Sequence, residues 1–199
     1  MKLYKFRQLT SSKDLERIIE ILKTNQFHCA KFFEMNDPME GVYISRDLSK
    51  VKKIFDEKNM RRICSFSSEK GFKNNAMWGY YTNGFKGVSI EIEVEENKVK
   101  EVLYKSRIPK TSNVEIILTT KLKDWKHEAE YRFITENNEN KCKVGEITKV
   151  YFGSPYENLI NTDDIIPKSE QILNYNKYRE KLEIFLKENK IEFENIKII

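Results

Sequence analysis

The chain has 199 residues, of which 39% are hydrophobic and 12% aromatic, enough to bury one core and too few for two comfortable ones. No run of about 18 apolar residues occurs, and the charged start of the chain lacks the apolar stretch of a secretory signal. The formal net charge of +5 is spread along the chain, so the electrostatic case for nucleic-acid binding is weak. We therefore expect a cytoplasmic protein that does not enter a membrane.

The cysteines and histidines argue against a structural metal. The three cysteines, Cys29, Cys64 and Cys142, are widely spaced and form no C-x-x-C pair. The two histidines, His28 and His127, lie far apart in the sequence. Structural zinc sites use closely spaced cysteine and histidine ligands. We expect free, buried thiols and no metal.

Short strands and helices alternate in the first half of the chain. Ser11 and Ser12 precede apolar residues at helical spacing that end at Asn25, which predicts the first helix. The other predicted elements are strands over residues 3–7, 27–33 and 62–67, a turn at 36–38, helices over 48–58 and 74–83, and a half-buried strand over 88–94.

The second half continues in the same irregular order. Strands are predicted over residues 102–105, 131–135, 148–152 and 191–199, with helices over 114–128 and along the tail that contains Ile172 and Leu186. About eight strands and four or five helices in this order predict a single α+β domain with mostly antiparallel strands. We expect a motif-bearing core over about residues 1–153, with the helix and strand of residues 157–199 packed on it.

Four short motifs stand out along the chain. They are Leu3-Tyr4-Lys5-Phe6-Arg7, Asn36-Asp37-Pro38-Met39-Glu40, Ser65-Phe66-Ser67 leading to Met77-Trp78-Gly79-Tyr80-Tyr81, and Trp125-Lys126-His127-Glu128-Ala129-Glu130-Tyr131-Arg132. In this order the set resembles the bacterial family catalogued as domain of unknown function 2971. The likeness extends to about Gly153, and the family name implies no activity.

The last motif carries two glutamates one residue apart, directly before a strand. On an extended backbone Glu128 and Glu130 would project to the same side. The order of an arginine on the first strand, a serine-rich strand and a Glu-x-Glu is similar to the ADP-ribosyltransferases of the arginine, serine, glutamate type. The resemblance implies an ADP-ribosyltransferase-like fold and NAD as substrate. The serine strand departs from that pattern, since it reads Ser-Phe-Ser in place of Ser-Thr-Ser.

The resemblance also implies roles for individual residues. Glu130 would stabilise the oxocarbenium-like state that forms when nicotinamide leaves the ribose, and Glu128 would activate the acceptor. Arg7 would bind the pyrophosphate. Substrate-binding roles fall to Tyr4, Asn36, Asp37, Glu40, Ser65, Ser67, Trp78 and Tyr81, with the serines holding Glu130 and the aromatic rings stacking on nicotinamide. The acceptor could be protein, nucleic acid or a small molecule, and such a transferase is a candidate toxin or defence protein.

Each motif also has a structural reading. Arg7 could pair with a surface carboxylate, and Asn36-Asp37-Pro38 is a turn by composition. Trp78, Tyr80 and Tyr81 on a short helix could be core or hinge packing in place of a stacking platform. Trp125 continues the spacing of an apolar helical face, which predicts a core position for it. Arg132 could be the buried partner that keeps Glu128 or Glu130 ionised.

Two other functional classes stay open at this point. One is a binding module, in which the same cleft recognises a nucleotide or peptide without turnover. The other is a divalent-metal nuclease that would use Asp37, Glu40, Glu128 and Glu130 as oxygen ligands.

Overall fold

The computed structural model describes residues 1–45, 47–136, 139–155 and 170–196. Within them the strands are β1 (Lys2–Gln8), β2 (Phe27–His28), β3 (Arg62–Ser67), β4 (Gly87–Glu93), β5 (Lys100–Glu101), β6 (Leu103–Lys105), β7 (Thr120–Leu122), β8 (Glu130–Thr135), β9 (Lys141–Cys142), β10 (Glu146–Phe152) and β11 (Glu192–Asn195). The α-helices are α1 (Ser12–Thr24), α2 (Val51–Met60), α3 (Glu69–Phe72), α4 (Asn75–Tyr81), α5 (Val114–Leu118) and α6 (Glu170–Glu188). Short 3-10 helices cover Phe32–Glu34, Leu48–Lys50, Glu96–Lys98 and Lys123–Glu128.

One seven-stranded sheet, in the order β11-β10-β4-β1-β3-β8-β5, organises the fold. Its neighbouring strands are antiparallel except β10 and β11, which are parallel. Two small two-stranded sheets pair β2 with β9 and β6 with β7. The predicted α+β class with mostly antiparallel strands is confirmed, and the N-terminal strand β1 occupies the middle of the main sheet.

The main core lies on one face of this sheet. Apolar side chains of β1, β3, β4 and β10 pack there against α1 and α6, so the C-terminal helix shares its core with the N-terminal strand. On the other face a smaller cluster forms around Phe6, Met77 and Trp78, and α4 covers it. Of the helices that the structure describes, none is long and apolar enough to cross a membrane.

The first helix forms where the sequence predicts it. The Ser11 hydroxyl accepts a hydrogen bond from the Asp14 amide at 3.2 Å, which caps the start of α1. Asn25 ends the helix in the left-handed region, with a φ of 52°. Of the apolar face predicted by helical spacing, Ile18 is buried, and Leu15, Ile19 and Leu22 pack partly buried against the same core. Ile21, which lies outside that predicted set, is also buried there.

The helix predicted over residues 114–128 is wrong. That segment forms the short helix α5, then β7, then a 3-10 helix. The hydroxyls of Thr119 and Thr120 donate to the carbonyls of Glu115 and Ile116 at 2.8 and 2.7 Å, and β7 then pairs with β6. The helix ends here for two reasons. Two consecutive β-branched threonines hydrogen-bond back to the preceding turn, and the residues that follow the helix pair with the strand β6.

Three further predictions need correction. Only Phe27–His28 of the strand predicted over residues 27–33 is a strand, since the chain soon enters a 3-10 helix. The strand β4 is buried on both faces, not half-buried, because the Glu91 carboxylate accepts hydrogen bonds from Thr148 at 2.7 Å and Tyr151 at 3.0 Å. Of the strand predicted over 191–199, β11 covers four residues, and 197–199, like 157–169, lie outside the described residues.

The three cysteines are free thiols, as predicted. Cys29 and Cys64 are buried, whereas Cys142 is half-buried. The prediction of burial therefore holds for two of them.

Candidate functional site

A cleft opens where β1 and β3 separate. The two strands pair at a single position, Tyr4 opposite Ser67. The Lys5 ammonium reaches across and donates to the Ser65 carbonyl at 2.5 Å. The cavity has a volume of about 260 Å3. Because this gap lies in the middle of the sheet, side chains from distant parts of the chain meet in it.

Nine of the eleven predicted site residues line this one cleft. They come from β1, the loop after the first 3-10 helix, β3, α4 and the junction between the last 3-10 helix and β8: Tyr4, Arg7, Asn36, Asp37, Ser65, Ser67, Tyr81, Glu128 and Glu130. The other two, Glu40 and Trp78, do not line it. Residues of motifs that are far apart along the chain therefore lie close together in the fold.

Arg132 is the centre of a buried ionic network behind the cleft. Its side chain is fully buried, and all five of its N–H donors are used. It donates twice to Glu130, at 2.8 and 3.1 Å, twice to Glu40, at 2.6 and 2.8 Å, and once to the Leu118 carbonyl at 2.5 Å. The structural reading of this arginine as the buried partner of a glutamate is confirmed for Glu130.

Lys121 joins the two glutamates of the Glu-x-Glu motif. Its ammonium lies 2.6 Å from a Glu128 oxygen and 2.9 Å from a Glu130 oxygen, and all three side chains are buried. The Tyr81 hydroxyl donates to the other Glu128 oxygen. Burial would lower the pKa of Lys121, but the two carboxylates raise it above its ordinary value, so this lysine stays charged.

Glu130 is held in its ionised form. Burial alone would raise the pKa of this carboxyl, but the charges of Arg132 and Lys121 outweigh burial and hold the pKa well below its usual range. The Ser65 hydroxyl, which lies beside the carboxylate, contributes in the same direction. Ser65 Oγ is buried, and its distance and angles to the described residues do not meet the criteria of a hydrogen bond.

The two glutamates meet because of a backbone reversal and not because of an extended backbone. Ala129, between them, lies in the left-handed region with a φ of 43°, where a residue with a Cβ is strained by about 1–2 kcal/mol. The Ala129 carbonyl accepts a hydrogen bond from the Ser68 amide at 2.9 Å. At Gly71 a Cβ would lie 2.4 Å from the Glu128 carbonyl oxygen, so this glycine permits the close approach of α3.

The opposite wall of the cleft carries positive charge. Lys5 and Arg7 are half-buried and make no ion pair with any residue in the described ranges. Burial lowers the pKa of Lys5 and also that of Arg7. The surface ion pair that would have explained Arg7 structurally is therefore not formed within the part of the chain that the structure describes.

The Asn-Asp-Pro segment is a turn, as its composition predicts. The Glu40 amide donates to the Asp37 carbonyl at 3.0 Å, and the Met39 amide donates to an Asp37 carboxylate oxygen at 2.8 Å. The turn places Asn36 and Asp37 at the cleft. The structural and the site assignments of this motif are thus compatible.

Two predicted site residues lie in the core. Trp78 is fully buried, its indole N–H donates to the Phe72 carbonyl at 2.9 Å, and its ring packs edge-on against Phe6. The prediction that it stacks on a ligand is wrong, because this face of α4 turns toward the sheet. Glu40 has both oxygens on Arg132, so it is a positioning residue for that arginine and not a substrate ligand.

Trp125 is half-buried and lines the cleft. The core position predicted for it is wrong, since the helix on which that prediction depended does not form. Its ring lies 5.3 Å from the Lys121 ammonium and stacks on His127 with ring centroids 6.2 Å apart. Trp125 therefore belongs to the site.

The two tryptophans occupy each other's predicted places, since Trp78 lies in the core and Trp125 lines the cleft. Substitution of each one tests this placement. We expect Trp78→Ala to reduce the free energy of unfolding by about 3–5 kcal/mol, because it leaves a large cavity in a packed core. Trp125→Ala should reduce it by about 1 kcal/mol or less, since its ring is partly in water. Urea denaturation of both variants measures the difference, and equal losses would contradict the placement of Trp125.

Besides Trp125, the sequence prediction missed two charged side chains of the cleft. Lys5 stands two residues from Arg7 on the same strand, so strand alternation could have placed it beside that arginine. Lys121 gave no signal, because the helix predicted over its segment hid the strand that directs its side chain toward Glu128 and Glu130. Both are now part of the site.

The chain is thus an α+β protein with a charged cleft in the middle of its sheet. Comparison with family models, with curated proteins and with solved structures gave no match. The resemblance to domain of unknown function 2971 and to the ADP-ribosyltransferases stays a prediction that depends on the motifs.

Proposed function

We propose that the cleft binds NAD and breaks the bond between nicotinamide and ribose, passing ADP-ribose to an acceptor or to water. The observation that carries the proposal is one cleft that combines an arginine free of ion pairs among the described residues, Arg7, with a buried and ionised glutamate, Glu130. These are the two charges that a dinucleotide would need. The pyrophosphate is an anion, and the reacting ribose becomes a cation.

Glu130 suits the reacting ribose. Positive charge develops on the sugar as nicotinamide leaves, and a fixed carboxylate in a buried setting stabilises that charge without having to reorient. Arg132 and Lys121 occupy three acceptor positions of the Glu130 carboxylate, which has about four. The remaining position can accept from the Ser65 hydroxyl beside it or from a ribose hydroxyl of the ligand.

Glu128 suits the acceptor. Its carboxylate lines the cleft and is fixed by Tyr81 and Lys121. A carboxylate held beside the attacking group can accept its proton as the new bond forms. The ionic network contains three carboxylates and two cations, so it keeps a net negative charge on this side of the ribose.

Arg7 suits the pyrophosphate, because a guanidinium offers paired donors to phosphate oxygens. Past Arg7 the cleft continues into a second recess of about 550 Å3, whose lining includes Gln8 and Arg17 and also the acidic Asp14 and Glu20. The two spaces share Phe6, Arg7, His28 and Tyr81. A ligand with two nucleotide halves joined by a pyrophosphate would place its junction at Arg7.

The metal-nuclease alternative is less well supported. Glu40 and Glu130 share Arg132, and Glu128 and Glu130 share Lys121, so cations of the protein already occupy the positions that a metal would need. The Asp37 carboxylate is engaged by the turn. We therefore favour NAD over a phosphodiester with divalent metal.

The proposal is tested by nicotinamide release from NAD, measured with purified protein alone and with a cell lysate as the source of acceptors. Release above the uncatalysed rate supports it. If NAD raises the melting temperature and no nicotinamide appears in either condition, the cleft is a binding module. If NAD neither stabilises the protein nor is cleaved, the proposal fails.

We expect Arg7→Ala to weaken NAD binding by about 1.5–3 kcal/mol, the scale of a charged hydrogen bond. Isothermal titration calorimetry measures the effect. Arg61→Ala is the matched control, since Arg61 forms an ion pair with Glu136 and does not line the cleft. Equal dissociation constants for both variants and the parent protein would assign Arg7 a structural role only.

A further inference from the structure

Beside the Glu128 side of the cleft lies an aromatic shelf made of the exposed Tyr80 and the half-buried Trp125 and His127. The Tyr80 side chain is 75% exposed, and its ring centroid lies 5.9 Å from that of His127. Trp125 stacks on His127 with an angle of 28° between the planes. Packing does not explain the exposed Tyr80 ring, since nothing in the described chain covers it.

The shelf opens directly onto the proposed reaction site. It borders a recess of about 440 Å3, and Asn36, Tyr81 and Trp125 line both this recess and the cleft. Tyr81 donates to the Glu128 carboxylate. A group bound on the shelf therefore lies on the side of the cleft where an acceptor would approach.

The polar groups of the shelf suit a planar ring with hydrogen-bonding edges. Asn36 and Asp124 line the recess and together offer a donor and several acceptors. His127 Nδ1 lies 3.0 Å from the Asp124 carbonyl, while its Nε2 is buried with no partner among the described residues. Of these groups, the Asn36 amide and the Asp124 carboxylate can read the edge of a base, whereas the buried His127 Nε2 is out of reach of a ligand.

Charged side chains of both signs stand beside the rings, and the acidic one, Asp124, lines the recess. Lys123 and Lys126 are exposed on the same 3-10 helix as Trp125 and His127, and neither forms an ion pair within the described chain. Aromatic rings interleaved with free lysines are the arrangement by which proteins hold single-stranded nucleic acid, with bases stacked on the rings and phosphates near the cations. The net charge of the whole chain does not reveal this local arrangement.

We propose that the shelf binds an unpaired nucleobase of single-stranded nucleic acid and presents it as the acceptor. The acceptor role depends on the proposed function, whereas the binding does not. In the transfer, the bond between ribose C1′ and the nicotinamide nitrogen breaks, and its electron pair leaves with nicotinamide. A base nitrogen forms the new bond to C1′, and its proton passes to Glu128.

Fluorescence anisotropy with a labelled single-stranded oligonucleotide of mixed sequence, as DNA and as RNA, tests the binding in the absence of NAD. We expect a single strand to bind more tightly than the matching duplex. Tyr80→Ala should weaken binding of the single strand by about 5- to 100-fold, the scale of one stacked base. Tyr178→Ala is the matched control, because that tyrosine also lies near two lysines but stands on α6, away from the cleft.

The outcomes separate this inference from the proposed function. Binding of the single strand that depends on Tyr80 and not on Tyr178 supports the shelf even if no nicotinamide is released. Nicotinamide release without such binding, or with ADP-ribose found only on protein, overturns the inference and leaves the proposed function intact. Equal losses in the two tyrosine variants, or equal affinity for the duplex, also overturn it.

Discussion

We expect Glu130→Gln to lower the rate of nicotinamide release by about 100- to 1000-fold, the loss typical of removing a preorganised electrostatic contact to a transition state. Glutamine keeps the size of the side chain and removes its charge. The proposed role of Glu130 is to stabilise positive charge on the ribose, so the effect should appear in kcat more than in KM. Steady-state kinetics of nicotinamide release measures both.

Glu40→Gln is the matched control for this variant. Glu40 and Glu130 each accept two hydrogen bonds from Arg132, and each is buried, but only Glu130 lines the cleft. The two variants should therefore lose similar folding free energy, while Glu40→Gln should lose less than about tenfold in turnover. Similar losses of turnover in both would assign the effect to the disturbed arginine and remove Glu130 from the chemistry.

Stability of the Glu130 network should depend on pH in one direction. The folded pKa of Glu130 lies below its unfolded value. The network therefore contributes stability that is fully present above the unfolded pKa and is lost as the pH falls below it and through the folded pKa. Near neutral pH the carboxylate does not titrate. A change of turnover between pH 6 and 8 would therefore have to come from another group.

The sequence was informative wherever local pattern decides structure. The spacing of apolar residues after Ser11 and the end at Asn25 predicted α1, and the compact run that ends at Ser67 predicted β3 with correct bounds. The resemblance to the ADP-ribosyltransferases also predicted that Arg7, the serines and the glutamates would meet. That expectation agrees with the cleft, since Arg7, Ser65, Ser67, Glu128 and Glu130 all line it.

Tertiary contacts decided the rest. Trp125 was assigned to the core because a helix was expected, whereas pairing of β7 with β6 redirects the segment. Glu40 was assigned to the substrate through the motif that carries the family resemblance, whereas the arginine that binds it lies 92 residues later. Neither partner can be read from spacing along the chain, since both contacts are made between segments that only the folded sheet brings together.

The buried arginine offers a way to separate fold from function. Arg132→Met should reduce the free energy of unfolding by about 3–5 kcal/mol, because removing one partner of a buried ionic network leaves the others uncompensated. Glu40 would be left as a buried carboxylate without its cation, since both of its oxygens are bound by Arg132. Glu130 would keep only its contact with Lys121.

Adding Glu40→Met to Arg132→Met should restore about half or more of the lost stability, since an apolar pair of similar volume can replace a buried ion pair. Nicotinamide release should stay low in the double variant, because Glu130 has still lost the guanidinium that orients it. Denaturant titrations and turnover assays on the same preparations compare the two readouts. A double variant as unstable as the single one would mean that Glu40 is not the orphaned charge, and recovered turnover would mean that the proposed chemistry does not need Arg132 to orient Glu130.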